Sequence, residues 1–169
     1  ETRPFAKALG REEAAEQVIA QVESRIAEVA ALVEARIPEA QRDATLVRWM
    51  PQGPLVMAEG LFSASILQAV GFRIDDNDLV KEGRPHSEPL SLENLSSMDQ
   101  SWVFLATLNE DGDKALEAAR QSPAFARLDA VEHDRVITVS GQLWTSATGP
   151  LAVLAILDDI EAAVTAIQP

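Results

Sequence analysis

The feature that most constrains this chain lies near its start. From Glu12 to about Ile37, apolar residues recur at Ala15, Val18, Ile19, Val22, Ile26, Val29, Val33 and Ile37. Steps of three and four place them on one stripe of a helix. Glu16, Gln21, Glu23, Arg25, Glu28, Glu34 and Arg36 cover the other face, and Pro38 ends the run. Roughly seven turns follow at 3.6 residues per turn. That is long for a chain of 169 residues, and a helix of that length runs along a whole lobe or between two.

Beyond it, extended and helical patterns alternate. Ala44–Met50 reads as a strand by its branched and aromatic content, Pro51–Pro54 as a turn, and Leu55–Met57 as a short extended segment. Leu61–Val70 reads as a helix burying Leu61, Phe62, Ile66, Leu67 and Val70, with Gly71 as its C-terminal cap. Arg73–Pro89 is polar and irregular, and Ser91 caps a short helix over Leu92–Ser97. Trp102–Thr107 is a strand of the buried kind; Asp111-Gly112-Asp113 opens a helix over Lys114–Gln121; Pro123 and Phe125 start a further turn of helix. Arg135–Val139 is the third main strand. Gly149-Pro150 opens a last helix to Ile167 with Leu151, Leu154, Leu157, Ile160 and Val164 inward. This order predicts an α/β three-layer sandwich with a mostly parallel sheet, preceded by a long helix. Residues 1–40 hold that helix and residues 41–169 the α/β unit.

Composition narrows the function. Apolar residues make up 47% of the chain, enough for a proper core. Fourteen basic against 27 acidic residues give a net charge of −13, which argues against nucleic-acid binding and against docking on an anionic membrane. Without cysteine there are no disulfides, thiolate metal sites or cysteine nucleophiles. The longest apolar run, Gly149–Leu157, is too short to span a bilayer and is followed by Asp158 and Asp159. The start, Glu1-Thr2-Arg3-Pro4, has no signal-peptide pattern.

Catalytic chemistry finds little support. His133 stands in a polar turn, and the run Asp75–Asp78 lacks the glycine and distal glutamate of a calcium loop, so it reads as a solvated acidic loop. No nucleophile elbow and no glycine-rich phosphate loop is present. Neither a catalytic residue nor a protein metal ligand is expected. The aromatics say more. Trp102, inside an apolar run, reads as packing. Trp49 lies near the C-terminal end of a strand, where ligands of open α/β sheets gather, and fits either packing or contact. Trp144, in the small-residue stretch Ser140–Gly149, fits either a ligand contact or a hydrophobic lid over the core.

Four stretches carry a resemblance: the helix Glu12–Ile37; Glu59-Gly60-Leu61-Phe62 running on to Gly71; Leu90-Ser91-Leu92-Glu93-Asn94-Leu95 followed by Asp99 and Trp102–Leu105; and Leu128–Val131, Arg135–Val139, Trp144 and Gly149-Pro150. In order and spacing the chain resembles the C-terminal lobe of a class III, helical-backbone periplasmic substrate-binding protein, the kind serving ABC importers of ferric siderophores, haem and cobalamin. The resemblance implies a non-enzymatic protein that captures an iron–siderophore or related metal chelate, with Trp144, Ser146, Arg84, His86, Ser87, Trp49 and Met57 lining the ligand cleft. Iron would come only inside the ligand, with no other cofactor. It further implies that Glu59 docks on the importer permease, that an N-terminal lobe precedes Glu1, and that the protein is periplasmic or extracytoplasmic and lipid-anchored. A stand-alone flavodoxin-like regulatory or protein-interaction domain is the alternative.

Overall fold

In the computed structural model of this protein, the described residues are Arg3, Pro4, Lys7 and residues 10–167. The periodic stripe forms α1, Glu12–Arg36, and ends where Ile37 turns extended ahead of Pro38, as a residue before proline must. Its C-terminal half is the buried part: Val29, Val33 and Ile37 are at most 2% exposed. That half packs along α7, Pro150–Ala166, with Ile156, Ile160 and Val164 fully buried from the other side. Arg25 ties the two helices by ion pairs to Asp158 at 2.8 Å and Glu161 at 2.7 Å.

The sheet is built from β1 (Asp43–Met50), β2 (Gly53–Val56), β3 (Arg73–Ile74), β4 (Trp102–Thr107) and β5 (Val136–Ser140). Its order is β2-β1-β4-β5, with β3 also pairing β1. β1, β3, β4 and β5 run parallel; only the hairpin strand β2 is antiparallel. The mostly parallel sheet expected from the sequence is therefore present, and β4 keeps its expected bounds. β5 is shifted by one residue, and β3 falls inside the stretch read as irregular.

Successive side chains of a strand face opposite ways, so β1 feeds two cores. Ala44 and Leu46 join Trp102, Phe104 and Ala106 beneath α1, α2 (Phe62–Ala69) and α7. Val47 and Trp49 join Val103 and Leu105 beneath α3 (Glu110–Arg120), α4 (Pro123–Ala126), α5 (Asp129–Glu132) and the 3₁₀ segment Leu92–Met98. Three layers result. An aromatic ladder threads the first core: Phe72 against Trp102 at 5.6 Å, Trp102 over Phe104 at 6.2 Å, and Phe104 over Trp144 at 5.3 Å.

Two helices differ from expectation. α3 starts at Glu110, not Lys114, because Asn109 caps it by accepting the Gly112 amide at 3.0 Å. Glu110, Asp111 and Asp113 then sit in the first turn, where the helix dipole favours negative charge. Residues Gly141–Ser146, expected as a loop, form a short helix α6 capped by Ser140.

Candidate ligand-binding edge

β1, β4 and β5 all finish on the same edge of the sheet. Parallel strands offer their C-terminal ends as the place where ligands sit, because the chain leaves the sheet there in loops. Here the edge is made by Met50–Gly53, Thr107–Glu110 and Ser140–Ser146. It is drawn tight by two glycines. A Cβ on Gly112 would come within 2.9 Å of the Trp49 carbonyl oxygen, and one on Gly141 would strike the Thr107 carbonyl. Only glycine lets α3 and α6 begin so close to the strand ends. Gln52, Asn109, Ser140 and Gln142 are left exposed along the edge.

The expected ligand residues divide sharply. Trp144 is a correction: its indole is 1% exposed, lies over Phe104 with 17° between ring planes, and donates from Nε1 to Asp159 Oδ2 at 2.7 Å. Its carbonyl accepts a hydrogen bond from Ser63 Oγ. Folding of α6 turns the ring down onto the sheet, so this tryptophan is the lid of the core and not a contact surface. Trp49 is likewise core, 1% exposed and edge-on to Phe125 at 6.0 Å. Met57 is 2% exposed, and its amide donates to the Leu46 carbonyl. Ser87 is 5% exposed, its hydroxyl accepting from the Val56 amide at 3.0 Å and donating to the Glu88 carbonyl at 2.7 Å. All four are buried and engaged in packing or hydrogen bonds within this lobe.

Three candidates remain accessible. Ser146 is exposed at the end of α6. Arg84 is exposed in the turn whose amide donates to the Lys81 carbonyl. His86 is half-buried, with Nδ1 2.7 Å from the Ser87 carbonyl, and bridges Met57 outside β2. Arg84 and His86 therefore flank the β2 side of the sheet, level with the middle of β1, whereas Ser146 follows β5. Glu59 is exposed ahead of α2, and its carboxylate clusters with those of Asp75 and Asp76 within 4.8 Å. Burial, together with repulsion from Asp75 and Asp78, holds the Asp76 carboxyl above its ordinary range.

Arg48 was not among the expected residues. It interrupts the buried alternation of β1 on the first-core face, opposite Leu55 and Ala106. Its Nε is buried with no hydrogen-bond partner. Among the described residues no carboxylate pairs with it. A charged residue in a strand of otherwise apolar and small residues was the available sequence signal.

A family model described as "Periplasmic binding protein" matches residues 3–143. No curated protein matches the chain. Among solved structures, Staphylococcus aureus SirA superposes with a TM-score of 0.82 at 23% identity, covering 99% of this chain and 64% of SirA. SirA complexed with staphyloferrin B gives 0.79 at 21% identity, covering 97% of this chain and 59% of that one. An FhuD fold-family periplasmic binding protein component of a Fep/Fec-like ferrichrome ABC transporter from Bacillus subtilis gives 0.80 at 18% identity, covering 98% and 62%. The chain thus spans about three fifths of the length of the solved proteins it matches. With an α/β lobe built around a long helix and most of its length matched by the family model, this chain belongs to the periplasmic binding protein family, a family of non-enzymatic binding proteins.

Proposed function

We propose that this chain is the C-terminal ligand-binding lobe of an extracytoplasmic solute-binding protein that captures an iron–siderophore or similar metal chelate and delivers it to an ABC importer. The observation that carries the reading is the match of nearly the whole chain to the fold of a protein solved with a siderophore bound. Iron is the cargo inside the chelate, so the lobe needs no metal ligands of its own.

The edge formed by Met50–Gly53, Thr107–Glu110 and Ser140–Ser146 is one wall of the binding cleft, and a preceding lobe supplies the other. α1 joins the two. A rigid connector of 25 residues allows modest closure rather than wide hinge bending. Ser146, Arg84 and His86 are the accessible members of the ligand set. Glu59 meets the permease; its neighbours Asp75 and Asp76 give that surface the negative charge that would steer it to arginines. Among the described residues no helix is long and apolar enough to cross a membrane.

The test is a titration of the protein as encoded, with whatever lobe precedes this one, against ferric siderophores, haem and cobalamin, followed by tryptophan fluorescence. Saturable quenching by at least one iron chelate is expected. No response to any of them contradicts the reading.

A further inference from the structure

We propose that the outer edge of β5 is a self-association surface, on which a second copy of this chain pairs as an added antiparallel strand. The sheet has two lateral edges, and they are finished differently. Beyond β2 the backbone is covered: Ala58 donates to the Pro85 carbonyl at 3.0 Å, Ser87 to the Val56 carbonyl at 2.8 Å and Leu90 to the Pro54 carbonyl at 2.9 Å. The covering segment carries Pro85 and Pro89, which have no amide to offer a further strand. β5 ends the strand order on the other side. The Val103 amide donates to the Arg135 carbonyl. By the alternation of a parallel ladder, Ile137 and Val139 then also face β4, while Val136 and Thr138 direct their amides and carbonyls outward. Among the described residues no backbone group meets them there. Nor does α7 close over the start of the strand: a cavity of about 540 Å³, lined by Arg135, Ile137, Ala163 and Ile167, opens between them.

Charge selects the partner. Residues 136–157 hold no Asp, Glu, Lys or Arg, in a chain that is 24% charged with a net charge of −13. Natural edge strands are guarded by lysine, proline or an inward charge; β5, Val136-Ile137-Thr138-Val139-Ser140, has none of these. A basic or an acidic partner would find no complement on this strand. A second copy would, because two molecules of the same net charge repel least through a neutral face. A two-fold axis through Thr138, normal to the sheet, sets Thr138 against Thr138 and Ile137 against Val139, β-branched pairs of the kind that stabilise antiparallel strands. Five residues make a small interface, so the association is weak, half complete on the order of 100 µM. The same axis turns the two sets of strand ends in opposite directions. On the function proposed above, such a dimer offers an importer one lobe at a time; the pairing itself does not depend on that function.

The experiment is sedimentation equilibrium of the protein as encoded, from the low micromolar to the millimolar range, in wild type, Thr138→Lys, Thr138→Pro and Thr138→Val. Wild type is expected to show a monomer–dimer equilibrium that strengthens as salt is raised, since screening relieves repulsion between acidic copies. Thr138→Lys places a charge on the edge, and Thr138→Pro removes an outward donor while the ladder to β4 keeps its bonds. Each should weaken the dimer by at least about tenfold, with a melting midpoint near that of wild type. Should one of the two fail to fold, the other carries the test. Thr138→Val loses the bond that Arg120 donates to the hydroxyl at 3.0 Å but keeps the outward backbone groups, and should dimerise within about threefold of wild type. A wild type that stays monomeric throughout overturns the inference. So does a dimer that Thr138→Lys and Thr138→Pro leave intact, or one that salt dissociates. None of these outcomes bears on chelate binding, which is read separately by fluorescence.

Discussion

Where β1, β4 and β5 begin, the polar groups are knitted together: Asp43 accepts the Ser101 amide at 2.9 Å and pairs with Arg73, Arg135 reaches Gln41 at 2.7 Å, and the Trp102 indole donates to the Gln41 carbonyl at 3.0 Å. Asp99, three residues before Trp102, accepts the Asp129 amide at 2.7 Å. Where the same strands finish, the buried Nε of Arg48 has no hydrogen-bond partner among the described residues, and Gln52 and Gln142 are exposed. One sheet thus carries a closed edge and an open one. At the closed edge most of these polar groups already have partners within the lobe, the buried Arg135 Nε excepted, so it contributes stability and has less to gain from a ligand. At the open edge the backbone is packed tight while Gln52 and Gln142 stand exposed above it, which is the condition a binding surface requires.

The largest test of this contrast is Trp144→Ala. If the indole is the lid that supports the open edge from below, its loss should cost about 3–5 kcal/mol of unfolding free energy in a urea melt. A mutant of unchanged stability that has lost only ligand affinity would return Trp144 to the binding surface. Gly141→Ala comes next, at about 1–3 kcal/mol, because its Cβ meets the Thr107 carbonyl and cannot be accommodated by a side-chain shift. Asp43→Asn at the closed edge should cost about 1–2 kcal/mol at neutral pH. Burial pushes the Asp43 carboxyl up, but the Ser101 bonds and the Arg73 charge outweigh it and leave it below its usual range. A group depressed in the folded state stabilises above its unfolded pKa and loses that contribution as pH falls through the folded value. Wild type and Asp43→Asn should accordingly converge in melts as the pH is taken well below the ordinary aspartate range. Smallest of all, Gln52→Ala and Gln142→Ala at the open edge should move stability by less than about 0.5 kcal/mol; a larger loss would mean that this edge is also structural.

How much of this could be read in advance follows from where each signal resides. α1 and α7 are found within a residue or two because their periodicity is local and long. β4 is found because a wholly apolar run has no other place to go. The helix α6 is missed because Ser140-Gly141-Gln142 looks like a turn, and what folds it is distant: Phe104 beneath the indole and Asp159 beside its nitrogen. The same long-range contacts decide between the two readings that the sequence leaves for Trp144. β3, two residues long, is specified only by Asp43 and Ala44 across from it. Met57 and Ser87 look accessible in a polar neighbourhood, but extended pairing between residues 54–58 and 85–90 buries them. Arg48 was missed although it was legible: an arginine within Thr45-Leu46-Val47-Arg48-Trp49 departs from the burial pattern of its strand.

The measurement that bears most directly on the account is amide hydrogen exchange in the full-length protein with and without a ferric chelate that quenches its fluorescence. Added protection should concentrate in residues 50–53, 107–110 and 140–146, with none around Asp43, Arg73 and Ser101. Protection centred on the edge where the strands begin would contradict the assignment of the two edges, and with it the claim that the chain grips its cargo where its parallel strands end.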